Sequence, residues 1–234
     1  MSAPSVAFIN LGCRVNRVEV DLIAQELARA GCVIVKPEEA DAVVVNTCAV
    51  TAEAEAKTRK VVRRAASLGQ VPVVVATGCV ASLFSDELAS IAPNVTVEAD
   101  KSRVSETVLG ELGLPAGSVG DDGELVATPT PTGRVRPGIK VQDGCDNRCT
   151  YCIVWKARGA ARSMGSGEVV SAVRDALSRG AREVVLTGIN LGSFRGTCAG
   201  GGRIALPGLL ELVLRETTVE RVRLSSIEPP DVDG

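Results

Sequence analysis

Short apolar runs alternate with longer amphipathic stretches along the first half of the chain. The runs are rich in Val and Ala and are bounded by polar residues, which is typical of buried strands in a parallel sheet. They lie at residues 6–9, 33–35, 42–45, 71–76 and 95–97. The spacing predicts helices between them, one over 18–30 that ends at Gly31 and one that begins at an N-cap residue, Thr51. This alternation predicts an α/β fold with a doubly wound parallel sheet and right-handed crossovers.

A segment rich in Pro, Gly and Thr follows at residues 115–133 and predicts a linker. A second strand–helix series comes after it. The predicted strands lie at 138–142, 183–187 and 221–225, and the predicted helices at 167–179 and 206–216. We therefore expect one domain over residues 1–114 and another over residues 134–234.

Composition narrows the class of protein. The chain has 234 residues, a net charge of −2, eight cysteines and no histidine, so it cannot use an imidazole base. No apolar run reaches the length of a membrane span, and the N-terminus does not resemble a secretory signal. Cysteines without an export signal indicate metal or redox use in a reducing compartment, which predicts a cytoplasmic protein.

Three cysteines stand close together as Cys145, Cys149 and Cys152, a C-x3-C-x2-C spacing. Three thiolates leave a tetrahedral zinc site one ligand short, although Cys198 could in principle contribute a fourth. They can hold three irons of a [4Fe–4S] cluster. The fourth iron would then stay open, which suggests chemistry at the iron rather than electron transfer alone.

A second set of cysteines follows the predicted strands of the first domain. Cys13, Cys48 and Cys79 come directly after the first, third and fourth strands. Since ligands bind at the carboxyl ends of strands in a doubly wound sheet, these loops predict a second cluster site. Gly12 and Gly78 precede two of the cysteines and would let the backbone approach a bulky inorganic group.

The two remaining cysteines give weaker indications of a functional role. Cys32 begins a strand at the opposite edge and is predicted to be a small buried hydrophobe. Cys198 lies in a Gly-rich run and is predicted to lie in an exposed loop. Two residues at strand ends of the second domain, Gly188 and Ser225, are either turn residues or part of a site.

Positive charge is unevenly distributed. Residues 57–64 carry five basic and no acidic residues, a pattern that by itself favours a solvated helix face. Residues 134–162 carry seven basic residues against Asp143 and Asp146 and surround the cysteine triplet. A polyanionic substrate is therefore expected near the triplet.

The triplet, with Tyr151 just before its third cysteine, resembles the cluster loop of radical S-adenosylmethionine enzymes. Combined with the segments Leu-Gly-Cys-Arg-Val-Asn at 11–16, Asn-Thr-Cys-Ala-Val-Thr at 46–51 and Thr-Gly-Cys at 77–79, it makes the whole chain similar to methylthiotransferases. One branch of that family modifies isopentenyladenosine in tRNA. A second branch modifies N6-threonylcarbamoyladenosine at position 37 of tRNA, and a third modifies an aspartate of a ribosomal protein. The segments 144–153, 183–193 and 221–229 look most like the threonylcarbamoyladenosine branch.

The resemblance implies a doubly wound first domain followed by the first part of a radical S-adenosylmethionine (β/α) barrel. It implies a [4Fe–4S] cluster on Cys145, Cys149 and Cys152 and an auxiliary one on Cys13, Cys48 and Cys79. Tyr151 would lie near the adenine of S-adenosylmethionine, with Gly188 and Ser225 as further contacts. The implied reaction is radical methylthiolation at C2 of the adenine base.

The implied partners are tRNA and a reductant protein such as a flavodoxin or ferredoxin, with no membrane and no DNA. The chain departs from the family in Trp155 and Lys156, where a Pro-Tyr pair is expected, and in Asn190, where a His is usual. The family's barrel continues further and is followed by a small RNA-binding β domain, so we expect a C-terminally truncated chain. A non-catalytic fragment that binds a cluster, and a structural zinc module, are the competing hypotheses.

Overall fold

The computed structural model describes residues 3–70, 72–114, 136–198, 200–228 and 231. The chain divides into two compact units, Met1–Val126 and Ala127–Gly234. The predicted linker at 115–133 lies outside the described residues, so the predicted domain boundaries stay predictions.

A five-stranded parallel sheet forms the centre of the first unit. Its strands are Ser5–Asn10 (β1), Val33–Ile34 (β2), Ala42–Thr47 (β3), Val73–Gly78 (β4) and Val95–Val97 (β5). Their order is β2-β1-β3-β4-β5, so the chain starts near the middle and builds outward in both directions. This order confirms the predicted doubly wound α/β fold. The central strand β3 is buried along its whole length, as its continuous apolar run requires.

Helices of the first unit connect and cover these strands. They are Arg14–Arg29 (α1), Ala52–Ala66 (α2), Cys79–Leu83 (α3), Ser85–Ala89 (α4) and Val104–Glu111 (α5). α1 and α5 share one hydrophobic cluster with the sheet, in which Leu27 and Val108 pack with Val44. α2 packs against β3 and β4. Thr51 caps α2 as predicted, because its hydroxyl accepts a hydrogen bond from the Ala54 N–H at 3.1 Å.

The second unit is built on a three-stranded parallel sheet with two small antiparallel pairs. Its strands are Gly138–Lys140 (β6), Gln142–Asp143 (β7), Arg162–Ser163 (β8), Glu183–Thr187 (β9), Arg195–Thr197 (β10), Arg203–Ala205 (β11) and Arg221–Leu224 (β12). Its helices are Val154–Arg158 (α6), Ser166–Ser178 (α7) and Leu206–Glu216 (α8). The parallel strands follow the order β12-β9-β6, in which each new strand is added beside the previous one, as at the start of a (β/α) barrel.

Several predicted bounds need correction. α1 begins at Arg14 rather than at residue 18, because Asn16 is buried and belongs to the helix. The predicted strand 138–142 is divided at Val141, whose N–H bonds to Thr187 of β9 while its carbonyl accepts from Met164. Cys198 lies just after β10 of the β10–β11 hairpin, and its side chain is half-buried, while Gly200, Gly201 and Gly202 are exposed, in agreement with the predicted exposed loop.

Candidate cluster-binding sites

None of the eight cysteines forms a disulfide bond, and three of them lie at one edge of the first sheet. Cys13 follows β1, Cys48 follows β3 and Cys79 follows β4, and these three strands are neighbours. The register pairs Thr47 with Gly78, so Cys48 and Cys79 leave the sheet at the same level. Cys13 is exposed, whereas the other two are buried. The backbone therefore brings this predicted set to a common edge.

Cys32 lies away from this edge. It is 6% exposed within the core of the first unit, and burial raises the pKa of its thiol. A buried thiol with a raised pKa stays protonated, which makes it a poor metal ligand. The prediction that Cys32 is a small buried hydrophobe is confirmed.

Gly12 and Gly78 are required by protein packing at the same edge. Gly78 has a φ of +98°, and a Cβ there would lie 2.4 Å from the Thr47 carbonyl oxygen. A Cβ at Gly12 would lie 2.3 Å from the Asn16 side chain. The close approach of neighbouring backbone and side chains accounts for both glycines without an inorganic group.

A buried polar network lies beneath the exposed Cys13. The Asn16 side-chain amide donates to Asn46 Oδ1 at 3.1 Å and to the Thr47 carbonyl at 2.9 Å, and the Cys13 thiol donates to Asn16 Oδ1 at 3.3 Å. Lys101 Nζ donates to Asn46 Oδ1 at 3.3 Å and forms an ion pair with Glu19. Sequence reasoning missed this network, although Asn46 at the end of an apolar strand was a visible signal.

Thr47 joins the strand before Cys48 to the helix that begins with Cys79. Its hydroxyl donates to the Thr77 carbonyl at 2.7 Å and accepts from the Val80 N–H at 3.1 Å. One buried hydroxyl thereby satisfies a free N–H at the start of α3 and fixes the spacing of the two loops.

The triplet lies in the loop between β7 and α6, and its three cysteines are half-buried. Gly144 enters this loop with a φ of +71°, and a Cβ there would lie 2.0 Å from the Ala160 carbonyl oxygen. The Cys145 N–H donates to the Gly159 carbonyl at 3.1 Å, and the Cys152 N–H to the Cys149 carbonyl at 3.1 Å. The returning chain at Gly159 and Ala160 thus closes the base of the loop.

Asp143 anchors the entry to the loop. Its carboxylate accepts from the Gly144 N–H at 2.9 Å, from Arg158 Nη1 at 3.0 Å and from Lys140 Nζ at 3.1 Å. Burial raises the pKa of Asp143, but the charges and hydrogen bonds of Arg158 and Lys140 outweigh it, so the pKa is held below its usual value. Asp143 is therefore a carboxylate at neutral pH.

The other predicted site residues lie at two places. Tyr151 is 90% exposed, and negative charge at Cys149 together with a hydrogen bond to it raises the pKa of the tyrosine hydroxyl. Gly188 and Ser225 directly follow β9 and β12, which are neighbours, so both lie at one edge of the second sheet. Thr187 Oγ1 donates to Ser225 Oγ at 2.9 Å, and a Cβ at Gly188 would lie 2.9 Å from Gln142. Their predicted contacts with S-adenosylmethionine stay predictions.

The residues that depart from the family pattern also lie near the triplet and the strand ends. Trp155 has the Arg148 guanidinium 5.7 Å and the Lys156 ammonium 5.3 Å from its ring. The Asn190 N–H donates to Gln142 Oε1 at 2.8 Å, and its buried Oδ1 has no hydrogen-bond partner among the described residues. Asn190 therefore presents an unused acceptor close to Gly188.

The donor chemistry fits an iron–sulfur cluster at each set, because each consists of three cysteines outside any disulfide bond and the chain has no histidine. In the described part of the chain, no three Cys, Asp or Glu side chains are arranged as a ready-made metal site. Ligation by the six cysteines therefore stays a prediction. No helix within the described ranges is both long and apolar enough to cross a membrane.

Comparison with known proteins gives two family matches. The Uncharacterized protein family UPF0004 matches residues 5–99, and the Radical SAM superfamily matches residues 139–230. Each cysteine set lies within one of these regions. A solved structure, the cobalamin-dependent S-adenosylmethionine radical enzyme OxsB, has a TM-score of 0.50 at 10% identity and covers 86% of this chain and 35% of its own. At that identity the similarity concerns the fold alone.

Curated relatives extend over nearly the whole chain. The threonylcarbamoyladenosine tRNA methylthiotransferase MtaB of Chlamydia pneumoniae is 34% identical over 95% of this chain and 51% of its own length. The tRNA-2-methylthio-N(6)-dimethylallyladenosine synthase of Sphingopyxis alaskensis is 32% identical over 96% of this chain and 53% of its own length. The ribosomal protein uS12 methylthiotransferase RimO of Desulforudis audaxviator is 35% identical over 79% of this chain and 43% of its own length.

The chain thus spans about half the length of the curated relatives it matches. All three relatives are methylthiotransferases, and the two matched regions cover both units of the fold. The chain belongs to the radical S-adenosylmethionine methylthiotransferase family.

Proposed function

We propose that this protein methylthiolates C2 of N6-threonylcarbamoyladenosine at position 37 of tRNA, using S-adenosylmethionine and two [4Fe–4S] clusters. One observation supports this most directly. Three cysteines follow the carboxyl ends of adjacent strands in the first sheet, and three more lie in the loop that follows the first strands of the second unit. Two sets of three thiols are what two clusters with an open iron each require.

The protein's own residues would position these groups. Cys145, Cys149 and Cys152 would hold one cluster in a loop closed by the Cys145–Gly159 hydrogen bond. Cys13, Cys48 and Cys79 would hold the other, with their loops spaced by the Asn16–Asn46 network. When bound, the clusters and S-adenosylmethionine would supply the radical and sulfur chemistry, while the protein excludes water and orients the base.

Tyr151, Gly188 and Ser225 are the residues we assign to S-adenosylmethionine. Gly188 and Ser225 lie at the carboxyl ends of parallel strands, where active sites of (β/α) barrels are built. The exposed Tyr151 ring would stack near the adenine. A flavodoxin or ferredoxin would deliver electrons, and a tRNA substrate implies a cytoplasmic location.

Isopentenyladenosine in tRNA and an aspartate of ribosomal protein uS12 are the alternative substrates. Relatives named for each of these substrates have identities similar to that of the MtaB relative. The threonylcarbamoyladenosine substrate is preferred because the segments around the triplet, β9 and β12 resemble that branch. Discrimination requires direct measurement of the product.

Iron content tests the two-cluster assignment. Anaerobic reconstitution should give about eight irons per chain, the sum of two four-iron clusters. Cys48→Ala and Cys149→Ala should each remove about four irons, because each cluster loses one of three ligands. Cys32→Ala is the matched control and should leave the iron content unchanged, since Cys32 is buried in the hydrophobic core of the first unit. Stoichiometric zinc without a charge-transfer band would contradict the assignment.

Product analysis tests the substrate. The reduced, reconstituted protein is incubated with S-adenosylmethionine and tRNA that carries either N6-threonylcarbamoyladenosine or isopentenyladenosine, or with ribosomal protein uS12. Nucleosides and peptides are then analysed by mass spectrometry. The proposal expects the 2-methylthio product only from the threonylcarbamoyladenosine tRNA. A product from one of the other two substrates would transfer the protein to that branch, and no cleavage of S-adenosylmethionine would favour a non-catalytic role.

A further inference from the structure

Helix α2 presents two contrasting faces. Thr58, Val62, Ala65 and Ala66 are buried on the side that packs against the sheet. At about 100° per residue, the opposite side carries four cations within an arc of roughly 120°. These exposed cations, which we call the basic face, are Lys57, Lys60, Arg63 and Arg64.

The charges of the basic face are not neutralised within the described structure. No carboxylate in the described residues forms an ion pair with any of the four cations. Arg59, on the flank of the same helix, behaves differently, because it forms ion pairs with Glu55 at 3.8 Å and with Glu87 at 2.5 Å. Glu53 is the one acidic residue on the same side of α2, and it precedes the basic face by one turn.

The basic face begins close to the cysteine edge of the first sheet. Cys48 follows β3, and α2 starts four residues later at Ala52. With a rise of about 1.5 Å per residue, Lys57 is roughly 8 Å along the axis from the start of α2. The four cations then extend over about 10 Å of helix. A polyanion held on this face would therefore run toward the edge that carries Cys13, Cys48 and Cys79.

The chemistry of the basic face matches nucleic acid better than an acidic protein. Protein–protein interfaces have an apolar or aromatic centre and are depleted in Lys. None of the exposed large apolar side chains of the described residues belongs to α2. Unpaired ammonium and guanidinium groups on a regular face are instead what a phosphate backbone requires. The chain as a whole has a net charge of −2, so this local excess is not a general property of its surface.

We propose that the basic face of α2 binds the phosphate backbone of the RNA substrate. The inference rests on the proposed function for the identity of the RNA, but binding is measured without turnover. Contacts with phosphates position the RNA without reading its sequence. Modified and unmodified tRNA should therefore bind this face equally well.

The test is fluorescence anisotropy with labelled tRNA and the reconstituted full chain. The variant K57Q/K60Q/R63Q/R64Q is compared with wild type between about 50 and 200 mM KCl. Removing the four cations should raise Kd by about tenfold or more and reduce the slope of log Kobs against log[KCl] by about three. The variant should fold normally, since all four side chains are exposed, and circular dichroism checks this.

The matched control is R174Q/R182Q/R215Q/R221Q, which removes the same charge from exposed arginines of the second unit that already pair with glutamates. It should change Kd by less than about twofold, because the charge of each of these arginines is already neutralised by a neighbouring glutamate. An equal loss in both variants would assign the effect to net charge and overturn the proposal.

Two further outcomes separate this inference from the proposed function. If the α2 variant binds tRNA like wild type but accepts electrons from flavodoxin more slowly, the face docks a protein and the proposal is wrong. If wild type binds tRNA through α2 but forms no methylthio product, the RNA-binding role of the basic face is supported and the proposed reaction is wrong.

Discussion

Asn16 and Asn46 are joined by reciprocal hydrogen bonds. The Asn16 amide donates to Asn46 Oδ1 at 3.1 Å, and the Asn46 amide donates to the Asn16 carbonyl at 2.8 Å. Asn16 lies in the first turn of α1 after Cys13, and Asn46 lies near the end of β3 before Cys48. The pair therefore fixes the distance between two loops that carry predicted cluster ligands.

Removing this pair should weaken both folding and metal binding. Asn46→Ala leaves the buried Asn16 amide and the Lys101 ammonium each without one of their acceptors. We expect a loss of about 1–3 kcal/mol in the free energy of unfolding, measured in urea without metal. After reconstitution we expect about four irons instead of eight. Asn147→Ala, at an exposed position, is the control for stability, and an Asn46 variant as stable as this control would contradict the structural role.

Gly78 should tolerate no side chain. Gly78→Ala adds strain at a φ of +98° and a Cβ 2.4 Å from the Thr47 carbonyl oxygen. Gly31→Ala is a matched control, because its φ is +86° and a Cβ there meets nothing within 4 Å. The control should cost about 1–2 kcal/mol in urea unfolding, the usual strain of this backbone region. Gly78→Ala should cost more and also lower the iron content, so equal losses in the two variants would rule out a steric role.

The elements that were predictable are those with local signals. The cysteines at 13, 48 and 79 each follow a short apolar run, and the parallel arrangement then places them at one edge. Thr51 was identified as a helix N-cap because a Thr placed just before an amphipathic stretch is sufficient to predict one. The strand over 183–187 and the helix over 206–216 agree with their predicted bounds for the same reason.

What was missed depends on contacts between distant residues. Lys101 reaches Asn46 across 55 positions, and neither residue has a local feature that indicates the other. The β10–β11 hairpin was not predicted, because its Gly-rich tip interrupts the alternation of apolar and polar residues. Gly78 was predicted to let the backbone approach an inorganic group, but its close neighbour, Thr47, becomes visible only when β3 and β4 are paired.

Gly144 should be needed for cluster binding at the cysteine triplet but not for cluster binding at Cys13, Cys48 and Cys79. In Gly144→Ala, the new Cβ would lie 2.0 Å from the Ala160 carbonyl oxygen and force open the base of the loop. Gly180→Ala is the control, with a φ of +89° and no atom within 4 Å of its Cβ. Reconstituted Gly144→Ala should keep about four irons, on Cys13, Cys48 and Cys79, and lose the rest. Mössbauer spectroscopy distinguishes one remaining intact cluster from two half-loaded ones, and two half-loaded clusters would contradict a local effect.

Asp143 should make the stability of the second unit depend on acid pH. Arg158 and Lys140 outweigh the effect of burial and hold the pKa of Asp143 below its usual value. The folded state therefore binds the proton less tightly than the unfolded state, so the carboxylate stabilises the fold above the unfolded pKa of about 3.9. This contribution is lost as the pH falls through the lower, folded pKa.

Asp143→Asn tests this dependence. At pH 7 the variant should be less stable by about 1–3 kcal/mol, because Arg158, whose side chain is 4% exposed, loses its charged partner. The measurement is urea unfolding of the metal-free protein from pH 7 downward, with Glu211→Gln at an exposed position of α8 as control. Wild type and Asp143→Asn should converge as the pH falls below the folded pKa of Asp143, where the wild-type carboxyl is protonated as well. A difference that stays constant down to that pH would show that Asp143 acts through its shape and neutral hydrogen bonds, and the ion pair with Arg158 would then contribute nothing to stability.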